Sequence, residues 1–363
     1  MAPCCCCHDI YCFVHRSSPS LDGWSFVDFG AGNYPANVIK VNTDPLTTQT
    51  TLLGADYRNK RLIGQFFTGG TARILTWDFS IANRTERFSY TDARNAVFGC
   101  CYDWSHDRFY YTKCTSFVND GFTSTQTFEV RRVNFDGTND TLLATETWTD
   151  EHPSLAGALG LPCWEPNSNT LYYYQQVYDE SPRPITLDVN SYAYIKRIDA
   201  DDGSGGTTVV TLENTTDVVG DAAINGISFS ASRDKLVWTQ AYSAVTVQDY
   251  HLYSADPDGT NKLALAHQQN TVPAQTHIYR TCQVSEKEDR VYFEDRYNIS
   301  GSTFEAQLRR VEFDATAETT VMGNQQADWT ASNRPAINQL RFRLACGHEK
   351  TSSNFAGAGT PTV

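Results

Sequence analysis

A strand pattern that occurs four times constrains the fold of this chain more than any other feature of its sequence. Each copy has an aromatic strand after an Asn or Asp, a partner strand that alternates charged with apolar residues, and a closing strand after a polar turn. The aromatic strands are predicted at 107–112, 169–174, 234–240 and 289–295. The partner strands end at Asp136, Asp199, Asp256 and Asp314, at intervals of 63, 57 and 58 residues.

Repeats of this length that contain strands, with no ten-residue helical stripe between them, indicate a β-propeller. Six blades of roughly 50–60 residues would account for the 363 residues as one domain. The segments 36–53 and 334–346 each resemble part of a blade. We therefore predict an all-β, six-bladed β-propeller whose ring is closed by N- and C-terminal strands that share one blade. The predicted divisions are a Cys-rich tail at 1–20, the propeller at 21–350 and a flexible tail at 351–363.

Two of the repeats allow a comparison with a known family. Residues 109–113 followed by 130–139, and 236–240 followed by 252–261, resemble the YWTD repeats of low-density-lipoprotein-receptor-type six-bladed propellers. Asp295 matches the closing Asp of that motif, whereas Lys113, Gln175 and Gln240 replace it in the other repeats. The resemblance implies the fold and does not extend to the receptor biology.

Charge and hydropathy limit the partners that we expect. The formal net charge of −13 argues against nucleic acid and against an anionic membrane surface, since both attract a positive footprint. No apolar stretch is long enough to span a bilayer, and the N-terminus has no secretory-signal pattern. We expect a soluble protein without a transmembrane segment. Its compartment stays open, and a virion or an extracellular assembly would both be compatible with the sequence.

The binding face is predicted from the position of the longer insertions. All of them fall between the aromatic strand and its partner, so they should emerge on one side of the disc, where loops on a rigid scaffold commonly carry recognition. Tolerated surface loops are the competing explanation. The candidate binding residues on this side are Tyr178, Asp179, Arg183, Tyr242, Arg296 and Tyr297.

The eleven cysteines are unevenly distributed, with a run of four adjacent residues near the N-terminus. One interpretation is a zinc site, because thiolates and imidazoles are its usual ligands; the candidates are Cys4, Cys7, Cys12 and His15. A second is a disulfide tether between the tail and the body, with Cys5, Cys6, Cys100, Cys101 and Cys346 as candidates. A third is acylation of the run, and a fourth is a tail with free thiols. No further cofactor is predicted.

The sequence contains no metalloprotease, nucleophile-elbow, phosphate-loop or dinucleotide motif. We therefore predict no catalytic residues. The favoured hypothesis is a non-enzymatic propeller that binds protein or glycan, or serves as a structural subunit on the exterior of a virion, fibre or sheath. Two hypotheses compete with it: a channel-centred hydrolase or lyase, and a secreted receptor-like or matrix domain that binds protein or glycan.

Overall fold

The computed structural model describes residues 50–328 with gaps, together with four short strands nearer the termini. The gaps are 57–58, 60, 79–82, 95–99, 104, 151–157, 161, 180–189, 213–219, 245–246, 272–276, 287 and 301–302. All regular structure in these ranges is β-strand, which confirms the all-β prediction. None of the described residues forms a helix that could cross a bilayer.

The strands follow one another along the chain and pair with antiparallel neighbours. The first seven are β1 (Ile10–Arg16), β2 (Gly23–Asp28), β3 (Val38–Val41), β4 (Thr50–Asp56), β5 (Arg61–Thr68), β6 (Thr71–Asp78) and β7 (Thr85–Thr91). The next nine are β8 (Cys100–Asp103), β9 (Arg108–Asn119), β10 (Ser124–Asn134), β11 (Thr141–Asp150), β12 (Ala158–Leu159), β13 (Cys163–Glu165), β14 (Thr170–Asp179), β15 (Asn190–Asp199) and β16 (Thr207–Leu212). The last nine are β17 (Gly220–Ser230), β18 (Lys235–Ala244), β19 (Val247–Ala255), β20 (Leu263–Thr271), β21 (His277–Ser285), β22 (Arg290–Ser300), β23 (Thr303–Glu312), β24 (Thr319–Asp328) and β25 (Ala336–Gln339).

These strands build a β-propeller with five successive blades. Blade 1 contains β4 to β7, blade 2 β8 to β11, blade 3 β12 to β16, blade 4 β17 to β20 and blade 5 β21 to β24. In blade 3 the first position is divided between β12 and β13, which both pair with β14. Pro162 lies between them and has no N–H to donate to the ladder. A further sheet, the terminal sheet, has the order β25, β1, β2, β3.

Each blade is a meander, so its connections divide between two sides of the disc. The first-to-second and third-to-fourth connections lie at one end of the sheet, which we call the turn face. The second-to-third connection lies at the opposite end, which we call the loop face. On the turn face the two turns of a blade touch, because the carbonyl oxygens of Asp107 and Asn169 accept hydrogen bonds from the N–H groups of Phe135 and Ala200, both at 2.9 Å.

The polar residue before each aromatic strand takes a left-handed backbone conformation. Asp107, Asn169, Asp234 and Asp289 have φ between 53° and 57°, a region that Asn and Asp enter more readily than other non-glycine residues. The turn that precedes the aromatic strand is held by the residue that ends the first strand. The carboxylate of Asp103, for example, accepts hydrogen bonds from the N–H groups of Ser105 and His106 at 2.9 and 3.1 Å. The structure therefore confirms these positions as turns.

The aromatic strands contribute core side chains to both sides of a blade, and this explains why they have no polar face. In β9, Phe109 and Tyr111 pack into the core between blades 1 and 2, whereas Tyr110 packs into the core between blades 2 and 3. Tyr111 stacks on Tyr90 of blade 1 with ring centroids 4.5 Å apart. Comparable clusters lie between blades 3 and 4 and between blades 4 and 5.

The segments near the termini agree only in part with the sequence-based expectation. The segment predicted as a tail at 1–20 contains β1, which pairs with β2. Residues 50–53, the end of the segment 36–53 that was predicted as part of the shared blade, instead begin blade 1, because β4 pairs with β5. The C-terminal segment pairs with β1, with Val14 opposite Gln339 and Arg16 opposite Ala336. The predicted tail at 351–363 lies outside the described residues.

The third-to-fourth turn of blade 5 departs from its counterparts and predicts a stabilising substitution. Gly259 and Asn261 occupy positive φ in blade 4, whereas blade 5 has Ala315 and Ala317 there, at 65° and 52°. An L-residue with a Cβ costs roughly 1–2 kcal/mol in this conformation, less for Asn. We expect Ala317→Asn to raise the free energy of unfolding by up to about 1 kcal/mol, measured by urea denaturation. Ala264→Asn, in an exposed part of β20, is the control and should not stabilise; equal effects would contradict the prediction.

Candidate functional site

The predicted binding residues belong to the loop-face ends of the second strands or to the connections beyond them. Tyr178 and Asp179 end β14, Tyr242 lies in β18, and Tyr297 lies in β22. Their side chains and all of residue Arg183 lie outside the described part of the structure.

Arg296 is the one member of this predicted set whose side chain is described. It is 8% exposed, and its Nε donates to Oε1 of Glu294 at 2.5 Å. Glu294 is itself buried, so the two form a charge pair within the disc. Arg296 is therefore buried and does not project from the loop face.

The loop face also carries an apolar tip that the sequence analysis did not single out. Strands β9 and β10 form a long hairpin, and its end exposes Phe117, Val118 and Phe122 at 36%, 61% and 70%. Isolated exposed apolar residues are ordinary, but two phenyl rings and a valine at one hairpin tip mark a candidate contact surface. We call this group the hairpin tip. The sequence signal was present in Asn119-Asp120-Gly121, a turn sequence flanked by apolar residues.

The turn at the hairpin tip is held in one conformation by its own side chains. Asp120 Oδ1 accepts hydrogen bonds from the N–H groups of Phe122 and Thr123 at 2.8 and 2.7 Å, and Asn119 Oδ1 accepts from that of Gly121 at 2.8 Å. These bonds lower the pKa of the Asp120 carboxyl, led by the one from Thr123. Gly121 has φ of +89°, which favours glycine. Phe122 is therefore presented by an ordered backbone.

A buried polar network supports the base of the hairpin. Arg94 donates to Gln126 Oε1 at 2.7 Å, and Gln126 in turn contacts the carboxylate of Asp150 in β11. Asp92, in the connection from blade 1, accepts from the N–H of Cys114 at 2.7 Å. The Arg94 guanidinium also lies 5.5 Å from the centroid of the Phe117 ring. These contacts fix the hairpin relative to blades 1 and 2.

Buried carboxylates elsewhere in the described residues already have structural partners. Asp295 accepts from Gln307 at 2.7 Å and from Arg309 at 3.1 Å, and Asp103 accepts from Arg108 at 2.8 Å. Such bonds satisfy the buried charge without a substrate, so none of these carboxylates indicates an acid–base site by its burial alone.

A second cluster of chemically active groups lies on the outer strands of blade 4. His251 in β19 stands opposite His267 in β20, and their rings stack with centroids 4.2 Å apart. Asp249 lies two residues before His251, with Oδ1 at 2.6 Å from His267 Nε2 and Oδ2 at 3.6 Å from His251 Nε2. Burial lowers the pKa of His251, and the neighbouring His267 lowers it further.

The N-terminal candidates are only partly within the described residues. Cys12 and His15 lie in β1, whereas Cys4, Cys5, Cys6, Cys7 and Cys346 lie outside the described part. Cys100 is fully buried in the core between blades 1 and 2, and Cys101 is half-buried on the other side of β8. The zinc site and the disulfide tether stay predictions.

Comparison with known proteins adds information on the fold. No protein-family model and no curated protein matches the sequence. The structure is similar to TolB from Acinetobacter baumannii, with 12% identity and a TM-score of 0.51, over 88% of this chain and 65% of that chain. The chain thus spans just under two thirds of that TolB chain.

Two further solved structures are similar over more of their own length. An oligogalacturonate lyase in complex with manganese has 11% identity and a TM-score of 0.50, over 90% of this chain and 81% of that chain. The periplasmic gluconolactonase PpgL from Pseudomonas aeruginosa has 11% identity and a TM-score of 0.50, over 93% of this chain and 99% of that chain. At these identities the likeness shows the fold alone, that of a β-propeller.

Proposed function

We propose that this β-propeller is a non-enzymatic binding or structural subunit that contacts a partner protein through its hairpin tip, on the exterior of a larger assembly. The observation that carries the proposal is the exposure of Phe117, Val118 and Phe122 at one end of the β9–β10 hairpin. Fully burying a phenylalanine side chain contributes about 1.5–3 kcal/mol, so a partner that covers Phe122 would gain a substantial anchor.

The order of the hairpin favours recognition because little conformational entropy would be lost on binding. In addition to the hydrogen bonds of the turn, hydroxyl groups of exposed threonines link β10 to β11. The hydroxyls of Thr125 and Thr149 lie 3.0 Å apart, and those of Thr127 and Thr147 lie 3.1 Å apart. The hairpin is thus one edge of a three-stranded extension and not an isolated ribbon.

The chemistry of the hairpin tip fits a protein surface better than a glycan. An aliphatic side chain, Val118, is exposed at the same hairpin end, on the face of β9 opposite to Phe117, and it offers a sugar no hydrogen bond. Arg94, next to Phe117, supplies the pairing of an aromatic with an arginine that protein interfaces favour. We therefore commit to a protein partner with an apolar recess.

The enzymatic alternative has less support from the described residues. A channel-centred hydrolase or lyase would need a carboxylate inside the disc that is not already held by structural hydrogen bonds. The buried carboxylates of the described part accept hydrogen bonds from neighbouring side chains or backbone. The lyase and the lactonase that resemble this chain share its fold at 11% identity, and that likeness carries no activity across.

We also propose that the ring has six blades and that the terminal sheet closes it. β1 lies beside β4 of blade 1, and β25 lies beside β24 of blade 5. On the side of β22 that faces away from blade 4, Tyr292, Glu294 and Arg296 are 0%, 1% and 8% exposed. A sheet that covers them accounts for this burial. The YWTD character of the repeats stays a prediction.

The binding proposal is tested by removing the apolar groups of the hairpin tip. Because Val118 and Phe122 are 61% and 70% exposed, Val118→Ser with Phe122→Ser should change the free energy of unfolding little, by about 0.5 kcal/mol per site. We expect the wild-type protein from its natural source to elute as part of a complex, and the double variant as a monomer, in size-exclusion chromatography with mass detection. Leu142→Ser, at an exposed leucine on the turn-face side of blade 2, is the matched control and should stay in the complex.

Identical elution of the wild type, the double variant and the control would contradict the proposal. Glycan removal adds a second outcome. If an endoglycosidase released the wild-type protein from its complex, the hairpin tip would recognise a glycan and the assignment to a protein partner would be wrong.

A further inference from the structure

We propose that Asp249, His251 and His267 form a binding site for a divalent transition-metal ion, of which zinc is the representative. The site lies on the third and fourth strands of blade 4, whereas the hairpin tip belongs to blade 2. The two proposals therefore rest on different residues and stand independently.

The backbone brings the three ligand-bearing residues together on one face of the sheet. His251 and His267 are direct partners across β19 and β20, and Asp249 occupies the same face as His251, two residues earlier on the strand. One ligand atom from each residue lies within 4.8 Å of the other two. The arrangement depends on strand pairing, which holds these positions more firmly than a loop would.

The distances are close to those that coordination requires. Zinc bonds of about 2.0–2.1 Å to nitrogen place two tetrahedral ligand atoms roughly 3.4 Å apart. His251 Nε2 already lies 3.6 Å from Asp249 Oδ2. His267 Nε2 lies 2.6 Å from Asp249 Oδ1, so these two atoms must separate by less than an ångström to bind one ion. His267 has room to move, because its side chain is the most exposed of the three at 48%.

The ligand types select the class of ion. Two imidazole nitrogens and one carboxylate oxygen suit zinc and other first-row transition metals, whereas calcium and magnesium prefer oxygen ligands alone. Three protein ligands leave at least one position for water or for a group from another molecule.

One neighbouring cation opposes binding and provides a sharp test. Lys262 Nζ lies 3.8 Å from the centroid of the Tyr253 ring, and Tyr253 stacks on His251 at 4.9 Å. The positive charge of Lys262 raises the energy of a metal ion bound by the two histidines and Asp249. Replacing Lys262 with methionine removes the charge and keeps the aliphatic stem, so Lys262→Met should tighten metal binding. A gain in affinity cannot arise from partial unfolding.

The experiment is a cobalt(II) titration of the full-length protein, followed by visible absorption and calorimetry, with a zinc competition. Cobalt distinguishes the ligands, because the N-terminal cysteines would add a thiolate-to-cobalt charge-transfer band and the proposed site would not. We expect one site without thiolate character. Asp249→Asn and His267→Gln should each weaken it at least about tenfold, the smallest loss usual even for an outer partner of a ligand.

His106→Gln is the matched control, because His106 also contacts a carboxylate, Asp103, but belongs to no group of three potential metal ligands among the described residues. This variant should bind cobalt like the wild type, and Lys262→Met should bind it more tightly. Zinc should raise the thermal midpoint of the wild type and not that of Asp249→Asn. Cobalt bound solely with thiolate character, or bound equally by the wild type, Asp249→Asn and His267→Gln, would overturn the proposal.

Discussion

Gly203→Ala is expected to destabilise the propeller far more than Gly205→Ala, although the two glycines belong to the same turn. A Cβ at Gly203 would lie 2.0 Å from the carbonyl oxygen of Leu143 in blade 2, and φ there is +76°. A Cβ at Gly205 meets nothing within 4 Å, although φ is +68°. The left-handed backbone costs roughly 1–2 kcal/mol at either position, and the clash adds about 1–3 kcal/mol at Gly203 alone.

The same packing recurs along the disc and gives a graded series. The turn of one blade abuts the outer strand of the preceding blade, and a Cβ at Gly259 would lie 1.9 Å from the carbonyl oxygen of Val209. At Gly137 the corresponding distance, to Arg87, is 3.0 Å. Urea denaturation should therefore show large and similar losses for Gly203→Ala and Gly259→Ala, a smaller loss for Gly137→Ala and the smallest for Gly205→Ala. Equal losses at Gly203 and Gly205 would show that blades do not meet through these turns.

Deletion of residues 334–363 should destabilise the whole disc and not only its last strand. Loss of β25 removes one of the two strand partners of β1 and, in the proposed ring, separates the terminal sheet from blade 5. An open disc also exposes unpaired strand edges, which promote association between molecules. We expect the thermal midpoint to fall by well over the roughly 2–4 °C that 1 kcal/mol produces in a domain of 150–250 residues, and oligomers to appear on size exclusion.

The control for this deletion is the removal of residues 351–363, which should leave the thermal midpoint and the monomeric state unchanged. Amide hydrogen exchange adds a local readout. The chain that lacks residues 334–363 should lose protection throughout the blades and not only in β1. A 334–363 deletion that remained monomeric and as heat-stable as the full chain would exclude shared closure.

The repeated part of the fold could be predicted from the sequence because its signals are local. Aromatic strands need two apolar sides, partner strands alternate, and an Asn or Asp marks the left-handed residue between them, as at Asp107 and Asn169. The first strands were missed. Two of them, Cys100–Asp103 and Cys163–Glu165, are too short to show a period. The terminal strands were expected to share a blade, but no local pattern indicates that Val14 pairs with Gln339.

The candidate sites required the three-dimensional register. His251 and His267 are opposite each other only because a bulge shifts the pairing between Leu252 and Tyr253. The extra residue of this bulge is Leu265 in β20. Without the bulge, Ala266 would lie opposite His251, so the spacing of the two histidines along the chain does not reveal that they pair. The hairpin tip lies on the predicted binding side, but none of its residues was among the predicted binding residues. The reason is that residue type alone does not show that Phe117 and Phe122 are exposed.

Site-specific photo-crosslinking in the natural source tests the binding role most directly. A photoreactive phenylalanine analogue at position 122 would report on the hairpin tip, and the same analogue at position 142 would report on the turn-face side of the same blade. We expect one dominant crosslinked product from position 122, formed with a protein and absent from position 142. A dominant product from position 142 alone, or the same products from both positions, would contradict the assignment of the hairpin tip as the partner-binding surface.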